Sequence, residues 1–194
     1  MNSVMISIQP KWCAQIVAGA KTKEVRKTKP AGIETGKLEQ PFKCYIYCTG
    51  VKNLPLKEYC EVHRATGGAV DDWHGKVIAE FMCEGIYPVC YTMDGFADMV
   101  DCRTSCLKPR DFIEYGKGKP LYGWNITELR VYDTPKELGE FCYPPEKYCE
   151  KELCGGCPYE QSANQYGEYA DDCDWQRPLS RPPQSWCFVE EVQR

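Results

Sequence analysis

Apolar and polar residues alternate along Met5-Ile6-Ser7-Ile8, and at Pro10 the pattern changes to a helical spacing carried by Trp12, Ile16 and Val17. That change of period predicts a half-buried strand leading into a short helix, with Pro10 in the first turn and Gly19 as the stop. Beyond Gly19 the period returns to two. Thr22, Glu24 and Arg26 then share one face of an extended segment, and Lys23 and Val25 share the other. A carboxylate and a guanidinium set side by side either receive a ligand or brace the fold as an internal ion pair.

Further along, Phe42 to Cys48 alternates as a strand, and Leu56 to Ala65 spaces as a short helix before a turn at Gly67-Gly68. Residues 75–89, with Val77, Ala79 and Phe81 at period two, predict one long strand able to curve around a small barrel. Pro109 to Tyr115 has helical spacing. Leu121 to Tyr132 returns to the strand pattern, with Trp124, Ile126, Leu129 and Val131 as its core positions. Thr134-Pro135-Lys136-Glu137-Leu138 resembles a capped turn. Regular patterning then stops until Pro182, which marks residues 141–180 as a Cys-rich insert ahead of a closing strand from Gln184 to Val192. The expected architecture is one α+β domain over residues 1–194, with the insert hanging from it.

Length and composition narrow the class. At 194 residues with 43% hydrophobic positions, the chain is long enough for one sizeable core. No stretch approaches the roughly 18 apolar residues that a bilayer span requires, and Gln9 and Lys11 interrupt the first residues before a secretory core can form. A soluble, cytoplasmic protein with no membrane partner is expected. The net charge of −4 argues against a protein that grips nucleic acid by bulk charge alone. Charge is unevenly placed, however. Lys11, Lys21, Lys23, Arg26, Lys27 and Lys29 crowd the first segment, whereas Glu146, Glu150, Glu152, Asp171, Asp172 and Asp174 load the C-terminal region. The lysines form either a local basic face on an acidic chain or a solvated edge.

The fourteen cysteines fall mainly into two groups. Cys13, Cys44, Cys48, Cys83 and Cys90 sit in apolar runs, where a free thiol acts as a small buried hydrophobe. Cys142, Cys149, Cys154, Cys157 and Cys173 lie in the polar insert, which needs another source of order. Cys149, Cys154, Cys157 and Cys173 offer four thiolates, and Gly155-Gly156 lets the central pair supply two adjacent corners of a tetrahedron. That set suits structural zinc. An iron–sulfur cluster uses the same ligands, free thiols or disulfides are the plainer alternatives, and Cys142 is the spare ligand. His63 and His74 are the only histidines, so a catalytic thiolate–imidazole pair has few partners.

The S-I-x-P-x-W turn of Ser7 to Trp12, followed by G-x-K-x-x-E-x-R from Gly19 to Arg26, resembles the signature of the ASCH (activating signal cointegrator homology) family. Gly75 to Phe81, Tyr122 to Ile126 and Arg181 to Glu190 look like its later strands. The resemblance implies a PUA-like β-barrel with short flanking helices, in which the signature lines a cleft for RNA or a nucleotide-like ligand. There Lys21 and Arg26 would meet phosphate or base acceptors, Glu24 would accept from an exocyclic amine, Trp12 would stack or serve only as a core anchor, and Lys11 would join the ligand-binding set beside Trp12. Gln9 and Gln184 lie near the same cleft. Some bacterial relatives in the superfamily are amidohydrolases of acetylated cytidine, using a Lys and a Thr of this loop. Lys21 matches the Lys, but Glu24 stands where the Thr is needed. As a hydrolase, the protein would use Lys21 as base and Glu24 to orient water or substrate. An interaction module whose zinc loop docks a protein partner is the third reading.

Overall fold

The computed structural model describes residues 3–30, 33, 38, 40–50, 54–91, 95, 97–144 and 178–191. Its first half runs β1 (Ser3–Ile8), α1 (Pro10–Val17), β2 (Lys23–Arg26), β3 (Phe42–Cys48), α2 (Leu56–Ala65), α3 (Val70–Trp73) and β4 (Val77–Cys83). Its second half runs β5 (Ile86–Pro88), α4 (Met99–Ser105), α5 (Pro109–Gly116), β6 (Tyr122–Asn125), β7 (Thr127–Lys136), β8 (Phe141–Cys142) and β9 (Trp186–Glu191). The fold is α+β, as expected. Six strands form a sheet in the order β7-β4-β3-β1-β9-β8, and β2-β6-β5 form a second. Among the described residues only β1 and β3 pair in parallel, Ile6 opposite Ile46, and the crossover that a parallel pair demands carries α1 and β2.

Period two in the sequence becomes two packed faces. Val4, Ile6 and Ile8 of β1 join Phe42, Cys44, Ile46 and Cys48 of β3 in the main core, together with Cys13 and Ile16 of α1 and Val62 of α2. Met5, Tyr45 and Tyr47 point the other way, onto Phe141, Leu179 and Val189. Central strands buried on both sides have a register that a one-residue slip would destroy. Cys13, Cys44, Cys48 and Cys83 are buried thiols, and burial pushes those of Cys13 and Cys44 well above the ordinary range. Cys90 differs from expectation: it follows β5 outside both sheets and is exposed.

Two runs expected as single strands are each two. Residues 75–89 divide at Glu84-Gly85 into β4 and β5, and residues 121–132 divide at Ile126 into β6 and β7. In both cases the chain leaves one sheet for the other. Alternation survives such a corner, so it is silent in the pattern. Asn125 N donates to Gly85 O at 3.0 Å and Ile126 N to Thr22 O at 2.9 Å, which ties the corners to each other and to the start of β2. β7 also continues through Thr134 and Pro135, where a turn was expected, and the tight turn falls at Leu138–Glu140. Proline is tolerated there because β7 pairs on one side only, and the same edge position leaves Val131 exposed instead of in the core.

The outermost residues of the 141–180 segment belong to the sheet. β8 pairs with β9, Cys142 opposite Glu190, and Leu179 N donates to Phe141 O at 2.8 Å. Cys149, Cys154, Cys157 and Cys173 lie outside the described residues. Among the described residues, no helix is long and apolar enough to cross a membrane.

Candidate functional site

Gly19, at φ 72°, turns the chain out of α1 in the left-handed conformation that glycine adopts without strain. The residues between Gly19 and β2 are then fixed by α4. Thr22 N donates to Thr104 O at 2.8 Å, and Lys21 Nζ donates to Ser105 O at 2.9 Å. The last carbonyls of a helix lack partners and carry the negative end of its dipole, so an ammonium fits there. Lys23 adds an ion pair to Asp101, whose other oxygen accepts from Cys90 N at 3.0 Å.

On the opposite face of β2 a three-charge network is buried. Glu24 Oε2 lies 3.2 Å from Lys21 Nζ, and Oε1 lies 3.0 Å from Arg26 Nε. Lys21, Glu24 and Arg26 are only 3%, 6% and 8% exposed. Period two puts Glu24 beside Arg26, and the turn before β2 brings Lys21 onto the same carboxylate. The ammonium donates to two carbonyls, Lys23 O at 2.9 Å and Ser105 O, and is ion-paired to Glu24. Arg26 Nη2 donates to Ser7 O. The Arg26 Nε–H is not aligned on the carboxylate, so that contact is ionic and not a hydrogen bond.

This network lines a cavity of about 620 Å³. The end of β1 contributes Ser7, Ile8 and Gln9, the start of α1 contributes Lys11 and Trp12, and Gln184 precedes β9. All five expected ligand-site residues, Lys11, Trp12, Lys21, Glu24 and Arg26, therefore share one space. Lys11 Nζ sits 4.9 Å and Lys21 Nζ 5.3 Å from the Trp12 ring centroid, within cation–π range. Trp12 is half-buried and also packs against the main core, so it serves as an anchor as well as a wall.

No protein-family model and no curated protein matches the chain. A crystal structure of ASCH from Zymomonas mobilis is similar to it, with a TM-score of 0.48 and 17% identity over 99% of this chain and 88% of that one. Crystal structures of two mutant forms of that protein give TM-scores of 0.48 and 0.47 at 17% identity, covering 100% and 99% of this chain and 92% and 89% of theirs. The likeness is to ASCH structures.

Beyond the Gly19–Arg26 segment, α5 supplies a wall that the sequence pattern did not predict: Asp111, Glu114 and Tyr115 line the cavity too. Their i, i+3, i+4 spacing marks one helix face, although nothing local says what that face meets. Burial pushes the Tyr115 phenol up, against the opposing pull of Arg26, so the hydroxyl stays protonated and can donate. Among the described residues, no group of three or more His, Cys, Asp or Glu side chains is placed to hold a metal ion. Cys142, the expected spare ligand, is buried in β8. Burial and Glu190 raise its thiol, which disfavours the thiolate that metal ligation needs.

Proposed function

We propose that the protein is an ASCH-type domain that binds RNA, or a nucleotide or modified base, in the cavity walled by Lys11, Trp12, Lys21, Glu24 and Arg26. The observation that carries this reading is the convergence of an indole, a carboxylate and a guanidinium on one space of about 620 Å³. That volume falls in the ordinary range of small-ligand sites, about 300–1,000 Å³. Unstacked bases are recognised by aromatic faces together with donors and acceptors at their edges.

Binding is favoured over acyl hydrolysis by the state of Lys21. A lysine base needs an unfilled lone pair with a path to substrate, whereas this Nζ donates to two backbone carbonyls and is ion-paired to Glu24. Fluorescence titration with short single-stranded RNAs and with nucleosides, acetylcytidine among them, is expected to show saturable uptake without acetate release. Turnover of acetylcytidine that disappears in Lys21→Met would replace this reading with the hydrolase.

Structural zinc on Cys149, Cys154, Cys157 and Cys173 is part of the proposal. It is supported by their spacing, and it requires a reducing, cytoplasmic setting in which the thiolates stay free. Elemental analysis should find about one zinc per chain, lost in the Cys154→Ser/Cys157→Ser variant. Iron, or no metal at all, would sink the assignment.

A further inference from the structure

We infer that the cavity selects the uncharged base or nucleoside and leaves phosphate outside, an inference that rests on the ligand-binding reading above. Among the described residues its charged lining is balanced: Lys11, Lys21 and Arg26 face Glu24, Asp111 and Glu114. Phosphate sites are built differently, from an excess of Lys and Arg with open donors or from helix N-termini with unfilled N–H groups.

Here the deep cations are already engaged. Lys21 Nζ is enclosed by Glu24 and the carbonyls of Lys23 and Ser105, while Arg26 holds Glu24 and Ser7 O. The backbone donors are largely closed as well. α1 meets the cavity with Pro10, which has no N–H, and both Trp12 N and Cys13 N return to Gln9 O, at 2.9 and 3.0 Å. α5 begins with Pro109, the Asp111 carboxylate caps Lys108 N at 2.8 Å, and Asp111 N donates to Lys108 O at 2.9 Å. Neither helix start is an anion nest.

The carboxylates make the exclusion active. A phosphate drawn toward α5 would approach Asp111 and the exposed Glu114, and like charges at short range repel. The remaining unfilled chemistry suits a neutral heterocycle. Trp12 offers its ring, the Gln9 and Gln184 amides offer both donors and acceptors, and Tyr115 offers a protonated hydroxyl. With single-stranded RNA, this arrangement receives one splayed base and leaves the backbone at the rim.

Isothermal titration of the full chain with cytidine, uridine, adenosine and guanosine, and with their 5′-monophosphates, at about 50 and about 200 mM salt tests this. The best nucleoside is expected to bind at least as tightly as its monophosphate and to change less than about two-fold with salt. Glu114→Gln, on an exposed position of α5, is expected to raise monophosphate affinity relative to nucleoside by about two- to five-fold. A monophosphate that binds about ten-fold tighter than its nucleoside, and weakens with salt, overturns the inference while the ligand-binding reading stands. Uptake of neither compound overturns that reading and the inference with it.

Discussion

Glu24→Ala should lower the unfolding free energy by about 3–5 kcal/mol, because it leaves Lys21 and Arg26 buried without their shared counter-charge. Three charges taken out of water are tolerable only while each is paired. Glu24 does this for two cations at once, and neither can rotate into solvent: Lys21 is held by the end of α4 and Arg26 by Ser7 O. In a domain of this size the loss corresponds to a midpoint drop of roughly 10 °C. Thermal and urea unfolding followed by circular dichroism would measure it. Glu24→Gln should recover only part of the loss, since an amide can accept a hydrogen bond but leaves two like charges uncompensated. A change below about 1 kcal/mol in Glu24→Ala would mean that water reaches the network and screens its charges.

Trp12→Ala should weaken ligand uptake by about 5- to 150-fold, the range expected when one base–aromatic stack worth about 1–3 kcal/mol is removed. Because Trp12 also packs on the main core, the alanine variant is expected to lose stability too, and affinity alone would not separate the roles. Trp12→Phe makes the separation. A phenyl ring keeps a π-face and most of the packing, so its affinity should stay within a few-fold of the parent. If both variants bind nucleoside like the parent protein, Trp12 is only a core anchor.

The beginning of the chain was legible because its signals are local. Pro10 starts a helix, Gly19 ends one, and alternation beyond it puts Glu24 and Arg26 on one face. The Glu24–Arg26 ion pair could thus be anticipated, but its surroundings could not. Ser105 O, which helps to fix Lys21, comes from 84 residues away, and the acidic wall of α5 reaches the site only through the tertiary fold. α4 was illegible for another reason. It buries Asp101 and Ser105 and exposes Met99 and Val100, the reverse of the amphipathic rule. Asp101 pairs with Lys23, the Ser105 hydroxyl donates back to Asp101 O, and the Ser105 backbone carbonyl accepts from Lys21. The sheet corners at Glu84-Gly85 and Ile126 escaped because period two is the same on both sides of a bend.

The bond from Leu179 N to Phe141 O, together with the pairing of β8 and β9, makes the intervening stretch a cassette. Whatever its content, Phe141 and Leu179 on either side of it form one doorway whose two jambs are hydrogen-bonded to each other. The entropy of closing a flexible loop grows only slowly with its length, by about 0.6 kcal/mol per doubling. A cysteine-rich segment can therefore be lengthened, exchanged or lost there without disturbing the register of β1 and β9.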